Sequence, residues 1–112
     1  MADCIFCRIA SGEASATRVH QDEHTVAFRD INPAAPTHIL VVPRKHIVSL
    51  ADLTAEDDAL IGHLHRVAAS VARADGLRDF RLVVNNGAGA GQSVFHLHLH
   101  VLGGRPFSWP HG

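Results

Sequence analysis

The sequence predicts an α+β domain in which a mainly antiparallel five-stranded sheet carries one long helix and a short N-terminal helix. Three observations lead there. An apolar period of 3.6 residues following a capping signal at Thr54 gives the long helix. Five short β-leaning runs, punctuated by Gly, Pro, Asn and Asp, give the strands. Four of the connections are too short for a helical crossover, which leaves antiparallel pairing.

The elements follow in order. Ile5, Phe6 and Ile9 have the spacing of a short helical turn, closed by Ser11-Gly12. Thr17 to Gln21 and Thr25 to Asp30 read as a hairpin turning at Asp22-Glu23-His24. Asn32-Pro33 and Ala35-Pro36 force a loop. His38 to Val42 is a strand buried on both faces, stopped by Pro43. The helix starts at Thr54, where Asp57 completes an [ST]-x-x-[DE] signal. Apolar residues follow at 60, 61, 64, 67, 68 and 71, and Gly76 stops it. Phe80 to Val84 and Val94 to Leu102 are the last strands, joined by a glycine-rich loop.

A chain of 112 residues with 46% hydrophobic content makes one domain, residues 1–112. Ten Lys plus Arg against eleven Asp plus Glu leave a net charge of -1, so neither nucleic acid nor an acidic membrane is an expected partner. The apolar runs, such as Ile39 to Val42, are far below the roughly 20 residues that cross a bilayer. The first residues lack a basic stretch followed by an apolar one, so a cytoplasmic location is expected. Ten histidines are unusual and direct the search for chemistry.

His96-Leu97-His98-Leu99-His100-Val101 is the most informative stretch. In a strand, alternate side chains share a face, so the three imidazoles stand in one row and the apolar residues face the core. Crowded imidazoles resist joint protonation, and neutral imidazole is both a nucleophile and a ligand. Metal coordination by His96, His98 and His100 and nucleophilic work at phosphorus or carbonyl carbon both remain open. The preceding loop carries Gly87, Gly89, Gly91 and Ser93 and can turn backbone N–H groups toward an anion. A strand rather than a helix follows, so it is neither a dinucleotide fingerprint nor a P-loop. Cys4-x-x-Cys7 supplies half of a four-ligand zinc site; two packed thiols or a redox pair are the alternatives. The remaining histidines, 20, 24, 63, 65 and 111, read as surface or helix-face polar groups.

The row, taken with Cys4 to Ile9, Phe28 to Pro33, Ala35 to His38, Pro43 to Ile47, Val84 to Gly87, Gly91 to Ser93 and the tail from Gly103 to Pro110, resembles the nucleotide-binding branch of the histidine triad superfamily. That resemblance implies a homodimeric hydrolase of purine nucleoside phosphoramidates and acyl-nucleotides. It implies a catalytic set of His98, His100, His38, His96 and Ser93, with His98 as the nucleophile that holds the nucleotide covalently. His100 and His38 would flank the phosphate, and Gln92 and Ser93 would touch phosphate and leaving group. Asp30 would accept from the ribose hydroxyls, Asn85 would lie near them, and Ile5, Phe6, Ile9, Phe28 and Ile31 would clamp the purine. Read without the resemblance, Asp30 and Asn85 are turn residues and the five apolar residues belong to the core. The resemblance also implies a structural Zn2+ on Cys4, Cys7, His46 and His96, and a Trp109-Pro110 tail that approaches the partner subunit's site. A non-catalytic nucleotide sensor and a dinucleoside polyphosphate hydrolase are the alternative readings.

Overall fold

The structure, a computed structural model, describes residues 3–111. It opens with helix α1 (Ile5–Ser11), capped by Cys4, whose Sγ accepts from the Cys7 N–H at 3.4 Å. Gly12 ends the helix in the left-handed region at φ 89°, a conformation cheap only for glycine. Strands β1 (Arg18–Gln21), β2 (Thr25–Arg29), β3 (Thr37–Pro43), β4 (Phe80–Val83) and β5 (Leu99–Gly103) form one sheet in the order β1-β2-β3-β5-β4. All four pairings are antiparallel. Helix α2 (Asp58–Ala74) continues from a 3-10 turn at Ala55–Asp57, where the Thr54 N–H donates to Asp57 Oδ2 at 3.0 Å. The capping signal in the sequence is therefore real, although it caps a tighter first turn. Gly76, at φ 79°, ends that segment as the sequence indicates.

The sheet buries both faces. On one, Ala27, Ile39, Val41, Leu97, Leu99 and Val101 pack against Leu64, Val67, Ala68, Val71 and Ala72 of α2. Removing Leu64 fully from water contributes roughly 2 kcal/mol. On the other, Val26, Phe28, Leu40 and Val42 meet Phe6 and Ile9 of α1. The uninterrupted burial of β3 follows from its central position between these two layers.

One boundary departs from expectation. The last strand begins at Leu99, not Val94, so His96 and His98 precede the ladder. The final pair is Val41 with Leu99, and beyond it Pro43 has no N–H to donate. The Pro43 carbonyl instead lies 2.8 Å from His96 Nε2, and the Leu97 N–H bonds to Ile47 O at 2.6 Å. The alternation survives without the ladder: Leu97, Leu99 and Val101 face α2, while the histidines lie on the α1 side.

Candidate active site

A cavity of about 390 Å³ lies between α1 and the sheet. Phe6, Ile9, Phe28 and Leu40 form its apolar part, with the Phe6 and Phe28 rings edge to face at 5.4 Å. Asp30, Ser93, His98 and His100, together with Ser15, Arg29 and Asn32, supply its polar part. The Phe6 ring also packs edge-on against His98 at 5.1 Å, holding the imidazole in place from the apolar side. Ile5 lines the rim, and Ile31 stands at the mouth with 90% of its surface exposed.

Hydrogen-bond partners assign the histidine tautomers. A backbone carbonyl can only accept. His98 Nδ1, 2.7 Å from the His96 carbonyl, must therefore carry its proton there, which leaves the Nε2 lone pair free. The Ala34 N–H donates to His38 Nδ1 at 3.0 Å, so the His38 proton sits on Nε2. That proton is directed at His100 Nδ1, 2.8 Å away. In neutral His100 the proton must then lie on Nε2, a buried donor without a partner among the described residues. Burial, followed by the neighbouring His98 and His38, pushes His100 down to about 4, so it is neutral at pH 7. Burial likewise lowers His38, against the opposing pull of Asp30, whose Oδ2 lies 3.4 Å from His38 Nε2. One free lone pair and one free N–H thus stand on rings 4.8 Å apart, facing the same cavity. Such a pair can attack an electrophile and hold an oxygen anion beside it.

Beside this cavity, four donors converge. Cys4 Sγ and Cys7 Sγ lie 3.3 and 3.5 Å from His96 Nδ1. His46 Nδ1 is 3.3 Å from Cys7 Sγ and 3.2 Å from His96 Nδ1. A tetrahedral zinc with bonds of about 2.3 Å to sulfur and 2.0–2.1 Å to nitrogen has donor separations of about 3.3–3.8 Å. The set fits within a few tenths of an ångström. His96 Nε2 donates to the Pro43 carbonyl, which turns the Nδ1 lone pair toward the cysteines. Burial lowers the imidazolium tendency of His96 and raises the Cys7 thiol, as for donors gathered in a poorly solvated spot.

The fold brings His98, His100, Ser93, Asp30 and the apolar residues to one cavity, with His38 outside its lining and bonded to His100, and Cys4, Cys7, His46 and His96 to the adjoining cluster. The histidine row is split between the two, so His96, His98 and His100 share no metal position. Gln92 stays away from the cavity. Its Oε1 accepts from the Gly87 N–H at 2.8 Å, and its Nε2 donates to Val48 O at 2.8 Å and Val94 O at 3.1 Å. The glycine loop is also turned inward: the N–H groups of Ala90, Gly91 and Gln92 bond to Gly87 or Ala88 carbonyls. Its glycines shape a 3-10 turn at Ala88–Ala90 rather than an anion nest. Asn85 sits against Gly91, outside the cavity lining. Sequence reasoning missed Leu40 and Val94 in the wall, although the alternation of β3 could have placed Leu40 opposite its core-facing neighbours. It also missed Asp22, on which His20 and His63 converge at 2.6 and 2.9 Å, tying the hairpin to α2.

Comparison with known proteins shows the family. Residues 3–107 match the family described as scavenger mRNA decapping enzyme C-terminal binding. An uncharacterized HIT-like protein of Synechocystis is 54% identical over 111 residues, covering 98% of this chain and 97% of that protein. Protein HitA of Neisseria gonorrhoeae is 46% identical over 92% of this chain and 97% of its own length. The crystal structure of a HIT family hydrolase from Legionella pneumophila superposes with a TM-score of 0.96 at 47% identity, covering 98% of this chain and all of that one. A Zn-bound histidine triad family protein from Mycobacterium smegmatis gives 0.80 at 37% identity, covering 93% of this chain and 76% of the other. With the match running over almost all of this chain and of its relatives, the chain belongs to the histidine triad (HIT) superfamily.

Proposed function

We propose that the protein hydrolyses purine nucleoside phosphoramidates and acyl-nucleotides through a covalent nucleotidyl intermediate on His98. The observation that carries this reading is the commitment of His98 Nδ1 to the His96 carbonyl, which leaves Nε2 as the one nucleophilic nitrogen of a ring that lines the cavity. Nε2 gives its lone pair to the α-phosphorus. The bond from phosphorus to the leaving group breaks and the departing atom keeps the electron pair; an amine nitrogen takes up one proton from solvent, whereas the oxygen of an acyl group leaves as a carboxylate. Water then attacks phosphorus, the P–N bond returns its pair to His98, and one proton goes back to solvent. The free Nε2–H of His100, held in register by His38, donates to a phosphoryl oxygen as charge builds there. Asp30 accepts from the ribose hydroxyls, Phe6, Ile9 and Phe28 sandwich the base, and Ser93 bonds the phosphate at the leaving-group side.

The cysteine–histidine cluster belongs to the same proposal as a structural zinc site. Cys4, Cys7, His46 and His96 would hold the ion, which would supply a cross-link between α1 and the segment before β5. A homodimer is also proposed: β4 ends the sheet, and Phe80 and Trp109 are exposed.

The test is His98→Ala. Turnover of adenosine 5′-phosphoramidate should fall by at least about 10³-fold, as when a covalent nucleophile is removed. Adenosine monophosphate should still bind. Mass spectrometry of base-quenched wild-type enzyme should show a nucleotidyl adduct on His98. A variant that keeps turnover within tenfold, or an adduct on another residue, refutes the reading.

A further inference from the structure

Asp30, the proposed acceptor of the ribose hydroxyls, has little to hold its carboxylate on its own side of the sheet. Its Oδ1 accepts the Asn32 N–H at 2.8 Å, a turn contact, and its Oδ2 lies 3.4 Å from His38 Nε2. The β2–β3 ladder stops just before it, at Arg29 with Ile39, and a last backbone bond runs from the Asp30 N–H to the His38 carbonyl at 3.0 Å. Beyond that bond the connection carries Pro33 and Pro36, which have no N–H to extend the ladder. Asp75, directly after α2, closes this end of the hairpin instead. Its Oδ1 accepts from Arg29 Nη2 at 2.6 Å, and its Oδ2 from Arg29 Nη1 at 3.3 Å and from the Thr37 hydroxyl at 2.5 Å. We propose that Asp75 is a positioning residue for ribose recognition, which fixes Asp30 by gripping the residue before it on β2 and the residue before its backbone partner on β3. This role rests on the proposed assignment of Asp30 to the ribose hydroxyls and names the side chain that keeps that contact in place.

Strand alternation lets one carboxylate reach both strands from the far side. Arg29 shares the α2 side with Ala27, and Thr37 shares it with Ile39 and Val41, while Phe28 and Asp30 line the cavity opposite. The two guanidinium bonds are charge-assisted and paired, so they set direction as well as distance. Thr37 is buried, and without Asp75 its hydroxyl has no water to turn to. Arg29 and then Thr37 hold the Asp75 carboxyl below its ordinary value, so the clamp is ionised at neutral pH. A shift of about 1 Å at Asp30 is enough to lose a sugar contact, because a hydroxyl bond of about 2.7 Å is broken beyond about 3.5 Å. The rest of the pocket is anchored elsewhere. Phe6 and Ile9 belong to α1, and His98 is held by the His96 carbonyl. Loosening the clamp therefore falls on the sugar rather than on the base or the nucleophile.

The experiment compares adenosine 5′-phosphoramidate with its 2′,3′-dideoxy analogue, which has no sugar hydroxyl for Asp30 to bind. Wild-type KM should be at least about tenfold lower for the ribose compound, the scale of a hydrogen bond to a charged acceptor. Asp75→Asn should raise KM for the ribose compound roughly three- to tenfold, leave its kcat within about twofold, and move KM for the dideoxy compound by less than about twofold. Thr37→Val fills the same space without the hydroxyl and should act in the same direction, roughly two- to fourfold. Thr37→Ser keeps the hydroxyl and should restore the wild-type ratio of the two KM values. If Asp75→Asn does not fold, the two Thr37 variants decide. Equal rises in KM on both compounds, or a Thr37→Val enzyme with the wild-type ratio, overturns the role of Asp75 and leaves nucleotidyl transfer intact. A wild type with the same KM for both compounds overturns the ribose assignment together with this role, and one that turns over neither overturns the underlying reading as a whole.

Discussion

His100 gives an acid-sensitivity that can be measured apart from activity. Its ordinary value of 6.5 falls to about 4 in the folded chain, because burial and the adjoining His98 and His38 oppose a second positive charge. Geometry reinforces this, since protonating Nδ1 would set two N–H groups against each other across the 2.8 Å contact with His38. A depressed folded-state value means that the unfolded chain binds the proton first. Above pH 6.5 neither state is charged at this residue and it contributes nothing. As pH falls from 6.5 towards 4, the unfolded state gains a proton that the folded state refuses, and stability drops by about 1.4 kcal/mol per pH unit. The full loss, complete below the folded value, is about 3 kcal/mol. His100→Gln keeps an acceptor for His38 and a free N–H but cannot titrate. Urea unfolding of both proteins at about pH 7 and about pH 4.5 should show the wild type losing about 2–3 kcal/mol more than the variant. A stability difference that stays constant between the two pH values, or that grows in favour of the wild type in acid, refutes the argument.

Three further outcomes are expected. Gln92→Ala leaves the Gly87 N–H and the Val48 and Val94 carbonyls without their side-chain partner, and should destabilise by roughly 2–3 kcal/mol in chemical denaturation; a change under 0.5 kcal/mol would contradict the loop-holding role. Gly104→Ala forces a side chain onto φ 90° and within 2.8 Å of Pro36, and should cost about 1–3 kcal/mol, read as a lowered Tm. Protein purified without chelator should carry close to one zinc per chain, and its removal should lower stability by about 3 kcal/mol when zinc is at a hundred times its Kd. Cys7→Ser should abolish that metal-dependent difference, and metal content well below one per chain in the wild type would rule the site out.

Local chemistry made much of this fold legible. The capping signal at Thr54 and Asp57, the chain stop at Pro43 and the alternation from His96 to Val101 each act within a few residues, and each is found in place. What was hidden depends on contacts remote in sequence. His63 reaches Asp22 across 41 positions, and nothing near either residue announces the partner; His38 and His100, 62 positions apart, are brought together in the sequence only by the family resemblance. Gln92 shows a different limit. An amide can bond a phosphate or a backbone equally well, and only the folded loop, which surrounds it with one N–H and two carbonyls, decides between them. The early end of the ladder is similar: five more residues of strand-like pattern were present, but the neighbouring chain ran out of donors at Pro43.

The contact between Cys4 and His96 closes a loop of 92 residues. The same closure brings Phe6 and Ile9, on the apolar side of the cavity, to His98 on its polar side. No single stretch of chain therefore forms the pocket by itself; it exists only once segments remote in sequence have met. Closing so long a loop costs chain entropy before any contact repays it, so the pocket is assembled by the slow, non-local part of folding.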